Sequence, residues 1–213
     1  MEIDDIPAFA AVDAAAMADY GLAQAVVAAD TSGKTRQQLV EGWTRQGFGN
    51  DSTQTWLKVT DTDAGGEMVA AAMWRLQLEE AASGEEVSVL AEVKEEQRDE
   101  SGRPSVFDAM AKMGKEFRRE FIGTKPHAWL QVLVTHPNHQ RRGAGGMLVK
   151  WGCDQADERQ LMCVLTASQA GLALYLKHGF EVVREVPLDM RPFGVDQTEM
   201  RRSMIRLARA KTI

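Results

Sequence analysis

The sequence predicts a mixed α/β fold built around an anion-binding helix start, and three observations carry that reading. Trp56–Thr60 and Met68–Leu78 are apolar, strand-like runs separated by the Asp- and Gly-rich stretch 61–66, the pattern of a β-hairpin. Leu130 to Thr135 is a second apolar run, and it leads through Gln140-Arg141-Arg142-Gly143-Ala144-Gly145-Gly146 into a helical pattern at Met147–Ala156. Phe107, Met110, Gly114, Phe117 and Phe121 recur at spacings of three and four, which marks an amphipathic helix.

The remaining elements follow in chain order. Asp4-Asp5-Ile6-Pro7 reads as a helix start, with acidic residues ahead of a proline in the first turn. Ala8–Ala29 is alanine-rich and predicts one or two helical pieces broken near Tyr20-Gly21. Thr35–Trp43 predicts another helix, because Leu39, Val40 and Trp43 share a face. Glu79–Glu100 holds nine acidic and two basic residues and reads as a solvated loop or exposed helix. Downstream we expect a strand at Ala128–Thr135, a helix at Gly145–Arg159 and a strand at Met162–Thr166. A helix at Ala170–His178 ends on Gly179, a strand covers Phe180–Arg184, a loop covers Asp189–Asp196, and a last strand covers Glu199–Leu207. No repeat or low-complexity linker divides the chain, so residues 1–213 are read as one domain with an insertion at about 79–128.

A strand, a short glycine turn and a helix together bind phosphate for a physical reason. The first amides of a helix have no partner inside it, and the helix dipole places partial positive charge there. Glycines at 143, 145 and 146 remove side chains that would hold a diphosphate off the backbone. The Walker-type loop is excluded, because no Lys-Ser or Lys-Thr follows these glycines. The dinucleotide fingerprint Gly-x-Gly-x-x-Gly is not matched either, and its usual place is an early βαβ unit.

Composition narrows the classes. The chain has 213 residues with 44% hydrophobic and 26% charged content, ordinary for a soluble globular protein. Its net charge of −6 argues against a broad electrostatic footprint for nucleic acid, and the basic C-terminal tract around Arg201, Arg202, Arg206, Arg209 and Lys211 reads as a solvated face. No apolar run approaches the length needed to span a bilayer, and the acidic N-terminus lacks the features of a signal peptide, so a cytoplasmic protein is expected. Cys153 and Cys163 lack zinc-site spacing and are expected to be buried and reduced.

Two segments resemble a known family. Leu133-Val134-Thr135-His136-Pro137-Asn138-His139-Gln140-Arg141-Arg142-Gly143-Ala144-Gly145 resembles motif A of the GCN5-related N-acetyltransferases, the GNAT superfamily. Ser168 to Phe180, with Tyr175 ahead of Gly179-Phe180, resembles the family's motif B. The resemblance is sharp over residues 129–184 and loose elsewhere. It implies a three-layer fold: a central, mostly antiparallel sheet with helices on both faces and two parallel strands, the family's fourth and fifth, splayed apart. Two departures are visible. Almost nothing precedes the first helix where the family has its first strand, and about 50 residues stand where its third and fourth strands are usually joined directly.

The resemblance also implies chemistry. Acetyl-CoA would enter between the splayed strands as acyl donor, its pantetheine arm pairing with the backbone of Leu133, Val134 and Thr135. The turn Gln140, Arg141, Arg142, Gly143, Ala144, Gly145, Gly146 would hold its diphosphate, and a backbone N–H near Leu133 or Val134 would stabilise the oxyanion. Tyr175 falls where the family places its general acid, and Ser168 falls where it usually has a cofactor-facing Asn. No base is evident. The inward candidates on the strand are Trp129 and Gln131, which are not basic, while His127, His136 and His139 sit at its ends and read as turn or cap residues. A water chain or an insertion carboxylate such as Asp108 stays open.

The implied function is direct transfer of an acetyl group from acetyl-CoA to a primary amine of a small molecule, in a ternary complex, by a monomer or homodimer. A protein lysine or N-terminal acetyltransferase and a CoA-binding regulator without turnover are the alternatives. No metal, nucleic acid or membrane partner is expected.

Overall fold

The computed structural model describes residues 1–80 and 105–210. Most of the acidic stretch expected to be solvated, from residue 81 on, lies outside the described residues. Helices α1 (Ile6–Ala16), α2 (Gly21–Ala29) and α3 (Arg36–Gly47) come first. The hairpin β1 (Gln54–Asp61) and β2 (Glu67–Gln77) follows. Then come α4 (Val106–Phe117), β3 (His127–Thr135), α5 (Ala144–Arg159) and β4 (Met162–Ala167). The short α6 (Leu172–Lys177), β5 (Glu181–Asp189) and β6 (Thr198–Arg206) complete the order.

Local chemistry accounts for the boundaries. Pro7 sits in the first turn of α1, where its missing N–H costs nothing. Thr35 and Gln38 form a reciprocal capping box at the start of α3. Ser105 caps α4 by accepting from the Phe107 amide. Gly179 takes φ +87° just past α6, as a left-handed stop requires.

The six strands lie in the order β1-β2-β3-β4-β6-β5, antiparallel throughout except for the parallel pair β3/β4. This is the mixed, mostly antiparallel sheet expected. Among the described residues no strand precedes α1; instead the Met1 ammonium bonds the Trp56 carbonyl on β1 at 3.1 Å.

Helices cover both faces. Leu148, Val149, Cys153 and Ala156 of α5 pack with Trp74, Ala128, Leu130, Cys163, Leu165 and Met204 on one face. On the other, Phe9, Ala10 and Val12 of α1 pack with Ala71 and Val134. The amphipathic stripe of α4 docks on that second face, with Phe117 and Ile122 against Trp129 and Val164. At the other end of α4, Val106, Phe107 and Met110 meet Leu22 and Val26 of α2 and Leu188 and Met190. Both cysteines are buried and free, as expected. Among the described residues no helix is long and apolar enough to cross a membrane.

Several expected boundaries move, two of them in the last third of the chain. The helix expected from Ala170 begins at Leu172, because Gly171 precedes it as a packing point: a Cβ there would lie 2.8 Å from the Tyr175 ring. The strand expected to stop at Arg184 runs to Asp189 through Pro187. β5 is an edge strand, so a proline can point its missing N–H away from the ladder.

Candidate active site

A register change in β3 organises the site. Met73 pairs with Val132 and Trp74 with Leu130, so Gln131 is an extra residue, a β-bulge. Before the bulge, Ala128 and Leu130 face α5 and Trp129 faces α4. After it, Val132 and Val134 face α1 while Leu133 faces α5. The bulge therefore reverses the side-chain parity of the strand.

The same point is where β3 and β4 part. Their parallel pairing runs from His127↔Met162 to Leu130↔Leu165 and goes no further. Beyond it, Val132–Thr135 stays paired only to β2, and Thr166 and Ala167 only to β6. A wedge thus opens between two parallel strands, with backbone on one wall free for a pairing partner. Leu133, Val134 and Thr135 form that wall.

The glycine turn lies at the open end of the wedge. Gln140 closes it from below: its side chain donates to the Thr135 carbonyl at 3.3 Å and its amide to Pro137 O at 3.3 Å. From Arg141 onward the amides change character. Met147 is the first to find a helical acceptor, Gly143 O at 3.0 Å, and the six N–H groups from Arg141 to Gly146 have no acceptor among the described residues. Arg141 at φ +62° and Gly143 at φ +95° give the turn its left-handed conformation. Gly145 lies close to Thr135 Oγ1 and Leu174, so it also permits the turn to sit tight against β3 and α6. Six unpaired, clustered amides at the start of a 16-residue helix form an anion cradle.

The two arginines differ. Arg141 is exposed, whereas Arg142 is tied to Asp61 at the end of β1 at 2.8 Å and lies 2.9 Å from His139 Nδ1. His136 caps its own turn by accepting from the Asn138 amide at 3.3 Å. Both histidines are thus turn residues, as their positions in the sequence suggested. His127 lies at the closed end of the wedge, roughly 13 Å along the strand from Gln131. It is buried, its Nδ1 lies 2.8 Å from the Lys125 carbonyl, and burial pushes its pKa down. Asp108 is on the exposed face of α4, opposite the stripe that docks. Neither His127 nor Asp108 reaches the wedge.

Tyr175 stands on α6 and is buried in the layer that α5 shares with β3 and β4. Its ring packs on Gly171 and edge-on to Phe180 at 6.0 Å. Burial is the main cause that pushes its pKa up, with Arg201 opposing. The hydroxyl makes no hydrogen bond among the described residues. Ser168 sits just after β4 and accepts from the Gly171 amide at 3.3 Å. Trp129, one of the two inward candidates on β3, is core: it packs edge-on to Phe117 at 6.1 Å and carries Arg118 on its ring. Gln131, the other, keeps a buried Nε2 without a partner.

The family model for Acetyltransferase (GNAT) matches residues 105–180, which hold β3, the glycine turn, β4 and Tyr175. Solved structures add the fold. The arylalkylamine N-acetyltransferase 2 of Aedes aegypti superposes with a TM-score of 0.68 at 15% identity, over 98% of this chain and 97% of its own. Over residues 105–180 the chain is similar to the GNAT family, and its fold is the one these structures share. Other GNAT-like neighbours act on different acceptors by name. The "histone acetyltransferase HPA2 and related acetyltransferase" of Corynebacterium glutamicum has a TM-score of 0.59 at 17% identity, covering 100% and 96%. The ribosomal-protein-S18-alanine N-acetyltransferase of Escherichia coli has 0.51 at 15%, covering 100% and 95%. No curated protein matches the chain.

A polar cluster, invisible in the sequence motifs, joins α2 to β6, the strand that pairs with the end of β4. Arg201 donates to the Tyr20 hydroxyl and stacks on its ring at 5.9 Å. Glu199 Oε1 accepts from the Leu22 amide at 3.1 Å and from Gln197 Nε2 at 3.3 Å, and the carboxylate also engages the Tyr20 hydroxyl. Gly21 makes this approach possible, since a Cβ there would collide with Gln197 and Glu199. Nothing local marks a glutamate on a late strand as special. Only the packing of α2 on β6 does.

Proposed function

We propose that the protein is an N-acetyltransferase that moves an acetyl group from acetyl-CoA to a primary amine of a small molecule. The observation that carries this reading is the row of six unpaired amides, Arg141–Gly146, at the mouth of the β3/β4 wedge. That pairing of an anion cradle with a free strand edge suits a ligand that is a diphosphate at one end and an amide-bearing chain at the other.

In this reading Leu133, Val134 and Thr135 pair with the pantetheine amides, and Arg141, Arg142, Gly143, Ala144, Gly145 and Gly146 hold the diphosphate, with Gln140 keeping the turn closed. Ser168 borders the chain from the β4 side. Acetyl-CoA supplies an activated acyl group. A β3 amide beyond the bulge stabilises charge on the carbonyl oxygen, and fixed donors of this kind contribute several kcal/mol in a dry site. Tyr175 holds its proton, because burial disfavours the phenolate, and donates it toward the departing sulfur. The arrangement fits direct transfer: donor and acceptor approach from opposite sides of the sheet, and no cysteine, both being buried in the α5 layer, serves as a carrier. Two buried free thiols also suit a reducing compartment.

The small-molecule reading rests on how the acceptor side is covered. α2, α4 and the 188–195 segment pack together in one apolar cluster. An extended peptide needs an open groove, and this packing narrows it. The test is thiol release from acetyl-CoA with an amine library and, in parallel, lysine and N-terminal peptides. Turnover confined to peptides overturns the acceptor class, and no turnover on either, with acetyl-CoA still bound, favours a regulator.

A further inference from the structure

We propose that Asp61, which lies outside both GNAT motifs, is the positioning residue of the anion cradle: it holds the Arg142 side chain and so keeps the amides of Arg141–Gly146 in the conformation that binds the diphosphate. The proposal rests on the acetyl-CoA reading and adds a residue to that site. The cradle contains a conformation that needs support. Among the described residues only Arg141 (φ +62°) and Gln160 (φ +55°) are non-glycine residues with positive φ. Gln160 lies just past α5, where left-handed residues are common. Arg141 lies inside the cradle, and a left-handed arginine persists only where its surroundings dictate the backbone.

Those surroundings are anchored to three strands. The His136 amide donates to Val69 O on β2 at 2.9 Å, and Gln140 Nε2 donates to Thr135 O on β3 at 3.3 Å. On the far side of Arg141, Arg142 Nη1 donates to Asp61 Oδ2 at 2.8 Å and lies 2.9 Å from His139 Nδ1, which itself stands 3.5 Å from Asp61 Oδ2. Asp61 ends β1, opposite Glu67 on β2. Its side chain is 12% exposed against 54% for Arg142, so the acid is the fixed end of the pair. Gln140 and Arg142 thus clamp Arg141 from both sides. The clamp also draws the Arg142 guanidinium toward β1, on the side of β3 away from the β3/β4 wedge. Its charge serves the turn, and the amides are left to bind the anion.

The sign of one substitution separates positioning from plain charge. Asp61→Asn removes an anion beside an anion site, so electrostatics alone predicts tighter acetyl-CoA binding, whereas loss of the anchor predicts weaker binding. Asparagine keeps an oxygen for the Asp63 amide, which Asp61 Oδ1 accepts at 3.1 Å. By calorimetry we expect acetyl-CoA affinity to fall about fivefold in Asp61→Asn, the range of one well-placed ion pair. Arg142→Gln should lose the same factor, and the double variant no more than either single one, because all three break one contact. Asp63→Asn, which removes an exposed neighbouring charge and no anchor, should bind acetyl-CoA at least as well as wild type. In a thiol-release assay KM for acetyl-CoA should rise about fivefold in Asp61→Asn, while kcat and the amine KM stay within about twofold. The Arg141 and Arg142 amide resonances should move in unliganded Asp61→Asn. Tighter or unchanged acetyl-CoA binding in Asp61→Asn, or additive losses in the double variant, overturns the proposal while the acetyl-CoA reading stands. A wild-type protein that binds no acetyl-CoA overturns both. One that binds it without releasing thiol removes the transferase reading alone, and the calorimetry still decides the role of Asp61.

Discussion

Gly152 of α5 sits directly on the indole of Trp74 from β2: a Cβ at that glycine would stand 2.1 Å from the ring. The same indole donates from Nε1 to the Leu148 carbonyl at 3.1 Å, in the buried layer. This one side chain fixes both the distance of α5 from the sheet and its position along the helix axis. Because the glycine turn is the start of α5, Trp74 also sets where the anion cradle stands relative to the wedge.

Gly152→Ala therefore pushes the helix off the sheet. Overpacking of this kind costs about 1–3 kcal/mol. Urea unfolding should show that loss, and acetyl-CoA affinity should fall with it. A variant as stable as wild type would mean that α5 is free to slide.

Gly143→Ala tests the cradle itself. Gly143 has φ +95° with open space around it, so the alanine meets backbone strain and no clash. The turn should relax, and acetyl-CoA binding measured by calorimetry should weaken about tenfold, with a stability change of about 1 kcal/mol or less. Unaltered affinity would argue that the turn does not hold the diphosphate.

Tyr175→Phe removes a hydroxyl that has no hydrogen-bond partner among the described residues. Stability and acetyl-CoA affinity should hardly change, while kcat falls on the order of 100-fold. Because burial raises its pKa, the tyrosine stays protonated beyond the ordinary value near 10, and kcat should show no descending limb from it below about pH 10. Full activity in the phenylalanine variant would remove the acid role.

Asp157 and Arg206 join α5 to β6 through two hydrogen bonds of 2.7 and 2.8 Å, with the Arg206 side chain only 4% exposed. Arg206 is the main reason that the Asp157 carboxyl is held below its usual value. A carboxyl depressed in the folded state stabilises above its unfolded pKa, near 4, and that contribution is lost as pH falls through the lower folded value. Asp157→Asn should cost about 3 kcal/mol at pH 7, because it strands a buried guanidinium, and the difference from wild type should shrink below about pH 4 in acid-unfolding curves.

The parts legible in the sequence were those whose physics is local. The β1/β2 hairpin, the helix start at Pro7, the glycine turn and the stripe from Phe107 to Phe121 all depend on residues near each other in the chain. The bulge at Gln131 was not legible, because it exists only as a mismatch between β3 and β2. The continuation of β5 through Pro187 was hidden for a related reason: edge position is a property of the sheet, and the segment alone does not reveal it. Arg142 was expected only as part of the diphosphate turn, yet Asp61, far upstream at the end of β1, engages it. The α2–β6 packing that joins Glu199 to the Leu22 amide has no sequence motif to announce it.

The central claim is that the amides of Arg141 to Gly146 grip the diphosphate of acetyl-CoA at the mouth of the β3/β4 wedge. Titrating acetyl-CoA into the isotope-labelled protein and following backbone amide resonances tests it directly. Saturable shifts should be largest at 141–146 and along 132–135, with slowed hydrogen exchange at the same amides. Saturable binding that leaves those resonances in place, or no binding at all, would contradict it.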